Sequence, residues 1–172
     1  LLQIFHVFHH RFFYHFLDMN TGHRYQNTEL STIDTSLLMA GVLFAQSYFD
    51  RDDPTENRIR TFADSLYRQM DWEWFTDEQG YVMMGWRPGS GFTQAKWQGY
   101  NEAMILYILA LGSPTHPLSR DSWDAWTSSY RWDIFYGYDF VQFSPLFGHQ
   151  YSHVWIDFRG IQDAYTRHCR GR

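Results

Sequence analysis

The stretch KWQGYNEAMILYILAL, residues 96–111, joins a polar and aromatic beginning to a long apolar end. Residues 104–111 carry no charge and leave no polar face, so a helix made of them needs apolar neighbours on more than one side. We therefore predict a helix from about residue 94 to residue 111, with Gly112 as its C-cap. Such a helix is typical of the inside of a layered helical protein rather than of a small bundle.

The composition excludes several classes of protein. The chain has 172 residues, of which 44% are apolar and 20% aromatic, and its formal net charge is −5. Aromatic side chains in this number can fill a core or line a groove that stacks on ring-shaped ligands. A nucleic-acid partner is not expected, because no cluster of Lys and Arg is present to meet a phosphate backbone. No stretch reaches the roughly 18 apolar residues that cross a bilayer, and the single Cys169 excludes an internal disulfide.

Two more helices are predicted from the spacing of apolar residues. Segment 31–49, STIDTSLLMAGVLFAQSYF, is apolar on most sides, and Ser31 with Asp34 resembles a capping box at its beginning. Segment 57–75 has apolar residues at helical spacing and charged residues on its other face, which is typical of an amphipathic surface helix.

The remaining segments are shorter or irregular. Asp77–Gly80 predicts the turn of a small β-hairpin, residues 120–130 a short helix, and residues 157–169 the start of a final helix. Residues 1–17 suit a helix or a strand, and their histidines leave both alternatives open. The sequence thus predicts an all-α fold of about five helices with a small β-hairpin.

Glu102 is the first candidate for chemistry. In the predicted helix it lies in the first turn, close to large aromatic residues and away from any solvated stripe. A partly desolvated carboxyl beside aromatic rings is suited to act as a general acid. The alternative is a first-turn glutamate that only favours the helix dipole, and the sequence leaves both open.

Asp34 and Glu29 are the second group of candidates. Asp34 shares a helical stripe with Leu38, Gly41 and Ala45, and the two small residues would let another helix approach closely. Asp34 would then lie at the inner end of its helix, with Glu29 in the loop before it. Together with Glu102, these side chains would form an acidic cavity if the helix beginnings converge. The alternative for Asp34 is a pure capping role.

His149, His153 and Asp157 recur every four residues, which would suit a metal site on a helix. Gly148 and Ser152 argue against a regular helix there, and no HExxH pattern occurs, so we predict no metal site. Hydrogen bonding of a ligand by the histidines is the favoured interpretation. No cofactor is predicted, because the sequence has no GxGxxG or GxxxxGK motif.

Four stretches, in order along the chain, resemble the glucoamylase-like glycoside hydrolase family, which includes bacterial endo-β-1,2-glucanases and domains of cyclic β-1,2-glucan synthases. They are FFYHFLDMNTGHRYQNTELSTIDTSLLMAGVLFAQSYF (12–49), MDWEWFTDEQGYVMMGW (70–86), GFTQAKWQGYNEAMILYILALGSPTHPL (91–118) and SPLFGHQYSHVWIDFRGIQDAY (144–165). The resemblance implies an (α/α)6 toroid, in which an outer ring of helices surrounds an inner ring, with a carbohydrate cleft at one end.

The resemblance also implies hydrolysis of bonds between glucose units, with β-1,2 linkages favoured. Inversion would need an acid and a base whose carboxyls lie roughly 6.5–9.5 Å apart. Glu102 of YNEA matches the general acid, and Glu29 and Asp34 of TELSTID are candidates for the base or a substrate-orienting group. An oligo- or polysaccharide is the implied partner. The residues expected to bind it are Asp18, Trp86, Trp97, Tyr100, Asn101, His149 and His153.

Residues 1–172 are expected to form a single glucoamylase-like domain, as a fragment of a larger (α/α)6 domain, because a full toroid needs about twice the helices counted here. The family implies a periplasmic or secreted location in bacteria. Two alternatives stay open: a non-catalytic glucan-binding or length-controlling module of a larger synthase, and an aromatic-rich helical scaffold for protein contacts. The sequence indicates no oligomeric state.

Overall fold

The computed structural model describes residues 8–161, and helices dominate this range. The helices are α1 (Thr32–Tyr48), α2 (Pro54–Arg68), α3 (Met104–Leu111), α4 (Arg120–Ser128) and α5 (Leu146–Trp155), with a 3₁₀ turn at Glu73–Phe75. The strands are β1 (Phe8–His9), β2 (Phe12–Phe13), β3 (Leu30–Ser31), β4 (Gly85–Arg87), β5 (Gly91–Phe92), β6 (Trp132–Phe135) and β7 (Tyr138–Val141). The prediction of a mostly helical fold is confirmed, although the described residues contain more β structure than the single hairpin expected.

The strands form three small antiparallel sheets, ordered β1–β2, β3–β4–β5 and β6–β7. In the middle sheet Leu30 pairs with Trp86 and Ser31 with Gly85, so β3 lies against β4 just before the chain enters α1. The predicted turn after Asp77 is present, closed by an antiparallel bridge between Thr76 and Val82. This pairing places Trp86 beside the segment that carries Glu29.

Helix α1 begins where the sequence indicated. The side chain of Ser31 accepts a hydrogen bond from the backbone N–H of Asp34, which satisfies one of the free N–H groups of the first turn. Ser31 is thus the N-cap of α1, but the described contacts do not include the return bond of a full capping box, in which the Asp34 carboxyl would accept from the backbone N–H of Ser31; that carboxyl meets the Ser31 hydroxyl instead. Thr32 and Thr35, next along the helix, are fully buried, so the start of α1 lies inside the molecule.

Helix α3 is much shorter than predicted. Residues 94–103 are bridges, turns and bends, and the helix begins at Met104, so the placement of Glu102 in a helical first turn was wrong. Two features stop the helix from starting earlier. Gly99 has a φ of +70°, and the Asn101 side chain accepts a hydrogen bond from the N–H of Ala103 at 3.0 Å. Gly112 is the C-cap, as predicted.

Two other helix predictions need correction. The helix expected over residues 57–75 is α2, which begins earlier, at Pro54, because Asp53 caps it by accepting from the N–H groups of Thr55 and Glu56. It also ends earlier, at Arg68, and residues 73–75 form the separate 3₁₀ turn. Residues 146–155 form α5, although a regular helix was not expected there. Packing overrides the weak local propensity, since the Tyr100 hydroxyl donates to the Gly148 carbonyl and α5 contacts α3. Of the final helix predicted over 157–169, residues 157–161 are not helical and the rest lies outside the described residues.

Helix α3 is the centre of the core, in contact with α1, α4 and α5. Tyr107 lies in this core and stacks on Trp126, with ring centroids 4.8 Å apart. Its hydroxyl accepts from the N–H of Val82 and donates to the carbonyl of Trp97. Burial raises the pKa of Tyr107 well above its usual value, so the hydroxyl remains a neutral donor.

Apolar residues are also exposed on the helices. Phe44 of α1 is 66% exposed, Phe62 of α2 63% and Leu38 of α1 46%. A Cβ at Gly41 would meet nothing within 4 Å, so no described residue makes the close helix contact predicted at this position. No helix in residues 8–161 has the length and apolar character that a membrane crossing requires.

Gly85 is needed where β4 meets β3. A Cβ at this position would lie 2.7 Å from the carbonyl oxygen of Leu30 and 2.8 Å from Cγ of Glu29. We predict that Gly85→Ala lowers the free energy of unfolding by about 1–3 kcal/mol, because backbone atoms must shift to admit the methyl group. Urea unfolding of this chain measures the change.

Gly41→Ala is the matched control, because its Cβ meets nothing within 4 Å in the middle of α1. It should raise the free energy of unfolding by up to about 1 kcal/mol through helix propensity. Equal stability of the wild type and the Gly85→Ala variant would contradict the close strand approach.

Candidate active site at the start of helix α1

Glu29 and Asp34 lie on either side of the same imidazole. His15 Nδ1 is 3.1 Å from Oε1 of Glu29, and His15 Nε2 is 3.5 Å from Oδ2 of Asp34. The two carboxylates come from the residue before β3 and from the first turn of α1. Two of the three predicted acids are therefore brought together, with a histidine between them.

Glu29 is held on both of its oxygens. Nη2 of Arg87 donates to Oε2 of Glu29 at 2.7 Å, while His15 faces Oε1. Nε of Arg87 also donates to the carbonyl of Asn27, which fixes the guanidinium against the loop before β3. The Glu29 side chain is only 25% exposed, so it is a fixed charge in a half-buried setting.

The Glu29 carboxyl is ionised at neutral pH. Partial burial raises its pKa, but its own backbone N–H, the His15 side chain and the Arg87 charge lower it by more, so the pKa lies below its usual value. A carboxylate in this state can accept a proton or stabilise positive charge, but it is not suited to donate a proton.

Asp34 is more open than Glu29. Its side chain is 44% exposed, and its Oδ2 accepts a short hydrogen bond from the Ser31 hydroxyl. The same Ser31 hydroxyl accepts from the backbone N–H of Asp34, so the residue that caps α1 also orients this carboxyl. Asp34 therefore takes part in the cap of α1 and still has an exposed carboxylate. A capping role and a role in an acidic site do not exclude each other.

Glu102 lies in the loop that precedes α3, half-buried between the buried residues Asn101 and Ala103. The same loop contacts the start of α1, because Nε1 of Trp97 donates to Oγ1 of Thr32 at 3.0 Å. The Thr32 hydroxyl is also bonded to the carbonyl of Met83. The two chain segments that carry the three acids are thus joined through a buried hydrogen bond.

Three residues expected to bind substrate are buried. Trp97, Tyr100 and Asn101 are 7%, 2% and 7% exposed, respectively. The Tyr100 ring stacks on His149 at 5.0 Å, and the Asn101 side chain bonds the Gln98 carbonyl and the Ala103 N–H. These contacts hold the Glu102 loop in shape, whether or not any of the three reaches a ligand.

Trp86 is half-buried and belongs to an aromatic group next to the acids. It stacks on His9 with centroids 5.0 Å apart and lies 5.4 Å from Trp74. Trp74 was not among the residues predicted, and neither were His15 and Arg87, the partners of Glu29. Arg87 directly follows Trp86 in the sequence, which could have drawn attention to it. Only the pairing of β4 with β3, however, places Arg87 beside Glu29.

We name His15, Glu29, Asp34 and Arg87 the Glu29 group. The remaining candidates make their described contacts with other residues. Asp18 accepts from the N–H groups of Asn20 and Thr21 in its own turn, and these hydrogen bonds, chiefly that from Thr21, lower its pKa. His149 contacts the carbonyl of Phe143, and the exposed His153 packs on a neighbouring ring. Among residues 8–161, His149, His153 and Asp157 do not gather as a cation site.

Comparison with known proteins shows which family the chain is similar to. The family model described as "Putative glucoamylase" matches residues 94–170. An exo β-1,2-glucooligosaccharide sophorohydrolase of Parabacteroides distasonis is 27% identical over 187 residues, covering 90% of this chain and 26% of the relative. The resemblance to glucoamylase-like glycoside hydrolases that the motifs predicted is confirmed.

Solved structures extend the likeness to the fold. A putative glucoamylase from Bacteroides uniformis matches with a TM-score of 0.82 and 28% identity, covering 95% of this chain and 44% of that protein. An endo-β-1,2-glucanase from Chitinophaga pinensis, solved with sophorotriose and glucose, matches in fold with a TM-score of 0.81, 24% identity and the same coverage. The chain thus spans about a quarter of the curated relative's length and under half of these structures.

The lowered pKa of Glu29 predicts how stability changes with pH. Because the folded-state pKa lies below the unfolded value of about 4.3, ionised Glu29 stabilises the fold above that pH and stops doing so as the pH falls through the folded pKa. Near neutral pH, the free energy of unfolding should therefore be higher for the wild type than for Glu29→Gln. The difference between the two proteins should shrink as the pH falls toward about 3. Urea unfolding across this range measures it.

Glu78→Gln is the matched control, because Glu78 is an exposed glutamate. Its difference from the wild type should stay small and nearly constant with pH. A difference between the wild type and Glu29→Gln that does not change between about pH 7 and 3 would contradict the account of Glu29.

Proposed function

We propose that this chain carries acidic residues of a glycoside hydrolase that cleaves a glucan, with β-1,2 linkages favoured, by acid/base catalysis with inversion. The observation that carries the proposal is the match to a β-1,2-glucooligosaccharide hydrolase over 90% of the chain. The grouping of Glu29, His15 and Asp34 beside the segment joined to the Glu102 loop supports it.

Glu102 is the proposed general acid. It lies half-buried in a loop held by the buried Trp97 and Tyr100, and this bracing would keep its carboxyl in one position, from which it could donate to a leaving oxygen. Protonation of the glycosidic oxygen lowers the barrier to bond cleavage, since the leaving sugar departs as a neutral alcohol.

Asp34 is the proposed general base. Both oxygens of Glu29 face cationic or imidazole partners, whereas Asp34 is 44% exposed and open to water. An inverting base must activate a water on the opposite face of the sugar from the acid. Glu29 would then keep His15 and Arg87 in place and orient the substrate.

Among the residues proposed to bind substrate, Trp86 lies next to these acids. Trp86 is half-buried beside β3, which leaves part of its ring available to stack on a sugar face. The other residues that we propose to bind substrate are those expected from the sequence: Asp18, Trp97, Tyr100, Asn101, His149 and His153.

We also infer that the chain is part of a single (α/α)6 toroid domain. The exposed apolar residues on α1 and α2, including Phe44 and Phe62, are suited to packing against further helices. The greater length of the matched structures, of which the chain covers 44%, supports the same inference. A periplasmic or secreted location fits this family.

Glu102→Gln tests the proposed chemistry in the polypeptide that carries this sequence. We expect the wild type to release reducing ends from linear β-1,2-glucan and not from β-1,3- or β-1,4-glucan. The substitution should lower the rate by about 10²–10⁴-fold, because it removes the proton donor, while glucan binding is retained. Reducing-sugar assays and calorimetry with glucan provide the two measurements.

Glu78→Gln is the control for lost charge and should leave the rate unchanged. Binding of β-1,2-glucan by the wild type without hydrolysis would overturn the proposed reaction and favour a non-catalytic binding module. If the wild type neither binds nor hydrolyses the glucan, that result would favour the helical scaffold.

A further inference from the structure

Four side chains with metal-ligating atoms gather away from the Glu29 group. Asp71 and Glu73 lie in the connection that follows α2, His116 in the loop between α3 and α4, and His10 in the turn between β1 and β2. We name these four residues the Asp71 cluster. Two carboxylates and two imidazoles from three separate parts of the chain therefore meet at one place.

The ligand atoms are close enough for one ion. A carboxylate oxygen of Asp71, one of Glu73 and a ring nitrogen of His116 all lie within 4.8 Å of one another. Ligand atoms around a tetrahedral zinc ion at about 2.0–2.2 Å lie about 3.3–3.6 Å apart, so the three atoms would need to approach one another by about 1 Å. Small side-chain rotations would therefore bring all three atoms to bonding distance, and Glu73 and His116 are exposed and able to rotate.

Asp71 is oriented in advance. Nδ1 of His10 lies 2.9 Å from its Oδ2, and the N–H of Trp74 donates to its Oδ1 at 3.3 Å. The His10 ring is itself fixed by parallel stacking on Trp74, with centroids 4.0 Å apart. This is the arrangement in which a second imidazole either orients a ligating carboxylate or becomes a fourth ligand.

The loop that carries His116 is held against the end of α2. The hydroxyl of Thr115 donates to the carbonyl of Arg68, the last residue of α2, and the N–H of His116 donates to the Ser113 hydroxyl. The backbone on both sides of the cluster is thus fixed by contacts that do not involve its ligand atoms. Little reordering of the chain would accompany binding of an ion.

We propose that the Asp71 cluster binds one divalent first-row transition cation, with Zn²⁺ as the representative ion. Imidazole nitrogen together with carboxylate oxygen suits zinc, whereas Ca²⁺ and Mg²⁺ prefer oxygen ligands alone. The ion would join the β1–β2 turn, the α2 connection and the α3–α4 loop, so its role is to stabilise the fold. The proposal does not depend on the proposed glucan hydrolysis.

Calorimetry with Zn²⁺ on protein without a histidine tag tests the assignment. We expect saturable binding of about one ion per chain, weakened at least about tenfold by Glu73→Gln and by His116→Ala. His10→Ala should weaken it about 10–100-fold if His10 orients Asp71. Zn²⁺ should also raise the melting temperature of the wild type and not that of His116→Ala.

Glu78→Gln and His23→Ala are matched controls, since both residues are exposed and lie outside the cluster. They should bind Zn²⁺ as the wild type does. Three results would overturn the proposal: no saturable binding by the wild type, binding that survives both Glu73→Gln and His116→Ala, or a preference for Ca²⁺ over Zn²⁺.

Discussion

One buried hydrogen bond connects the chain segments that carry the three candidate acids. The indole N–H of Trp97 donates to the hydroxyl of Thr32, and that hydroxyl is bonded to the carbonyl of Met83. Thr32 is fully buried and Trp97 nearly so, and an unpaired polar group at either site would cost about 1–3 kcal/mol. The loop before α3, the start of α1 and the segment before β4 are therefore held in one relative arrangement.

That arrangement gives the acids different settings. Glu29 is fixed and ionised between His15 and Arg87, Asp34 is oriented by Ser31 but open, and Glu102 is half-buried in a braced loop. Acid/base hydrolysis needs carboxyl groups whose surroundings differ, because one must donate a proton and the other accept one. Together with the likeness to a β-1,2-glucooligosaccharide hydrolase, this difference is the basis on which we propose glycoside hydrolysis.

Local signals predicted the parts of the fold that depend on neighbouring residues. The N-cap at Ser31, the C-cap at Gly112 and the short helix α4 were all confirmed, because capping and helical spacing are properties of a few adjacent residues. The extended helix before Met104 was wrong, since Asn101 and a bridge between Met83 and Lys96 shape that loop. Contacts between residues far apart carry no such signal: Arg87 meets Glu29 across 58 positions, and His10 meets Asp71 across 61.

We propose that Glu102 and Asp34 act on one sugar bond from opposite sides. A crystal structure of the Glu102→Gln variant with a β-1,2-glucooligosaccharide tests it most directly. The account predicts that a glycosidic oxygen lies beside residue 102, with a water beside Asp34 and the two side-chain ends roughly 6.5–9.5 Å apart. An oligosaccharide bound elsewhere, or a separation far outside this range, would contradict it.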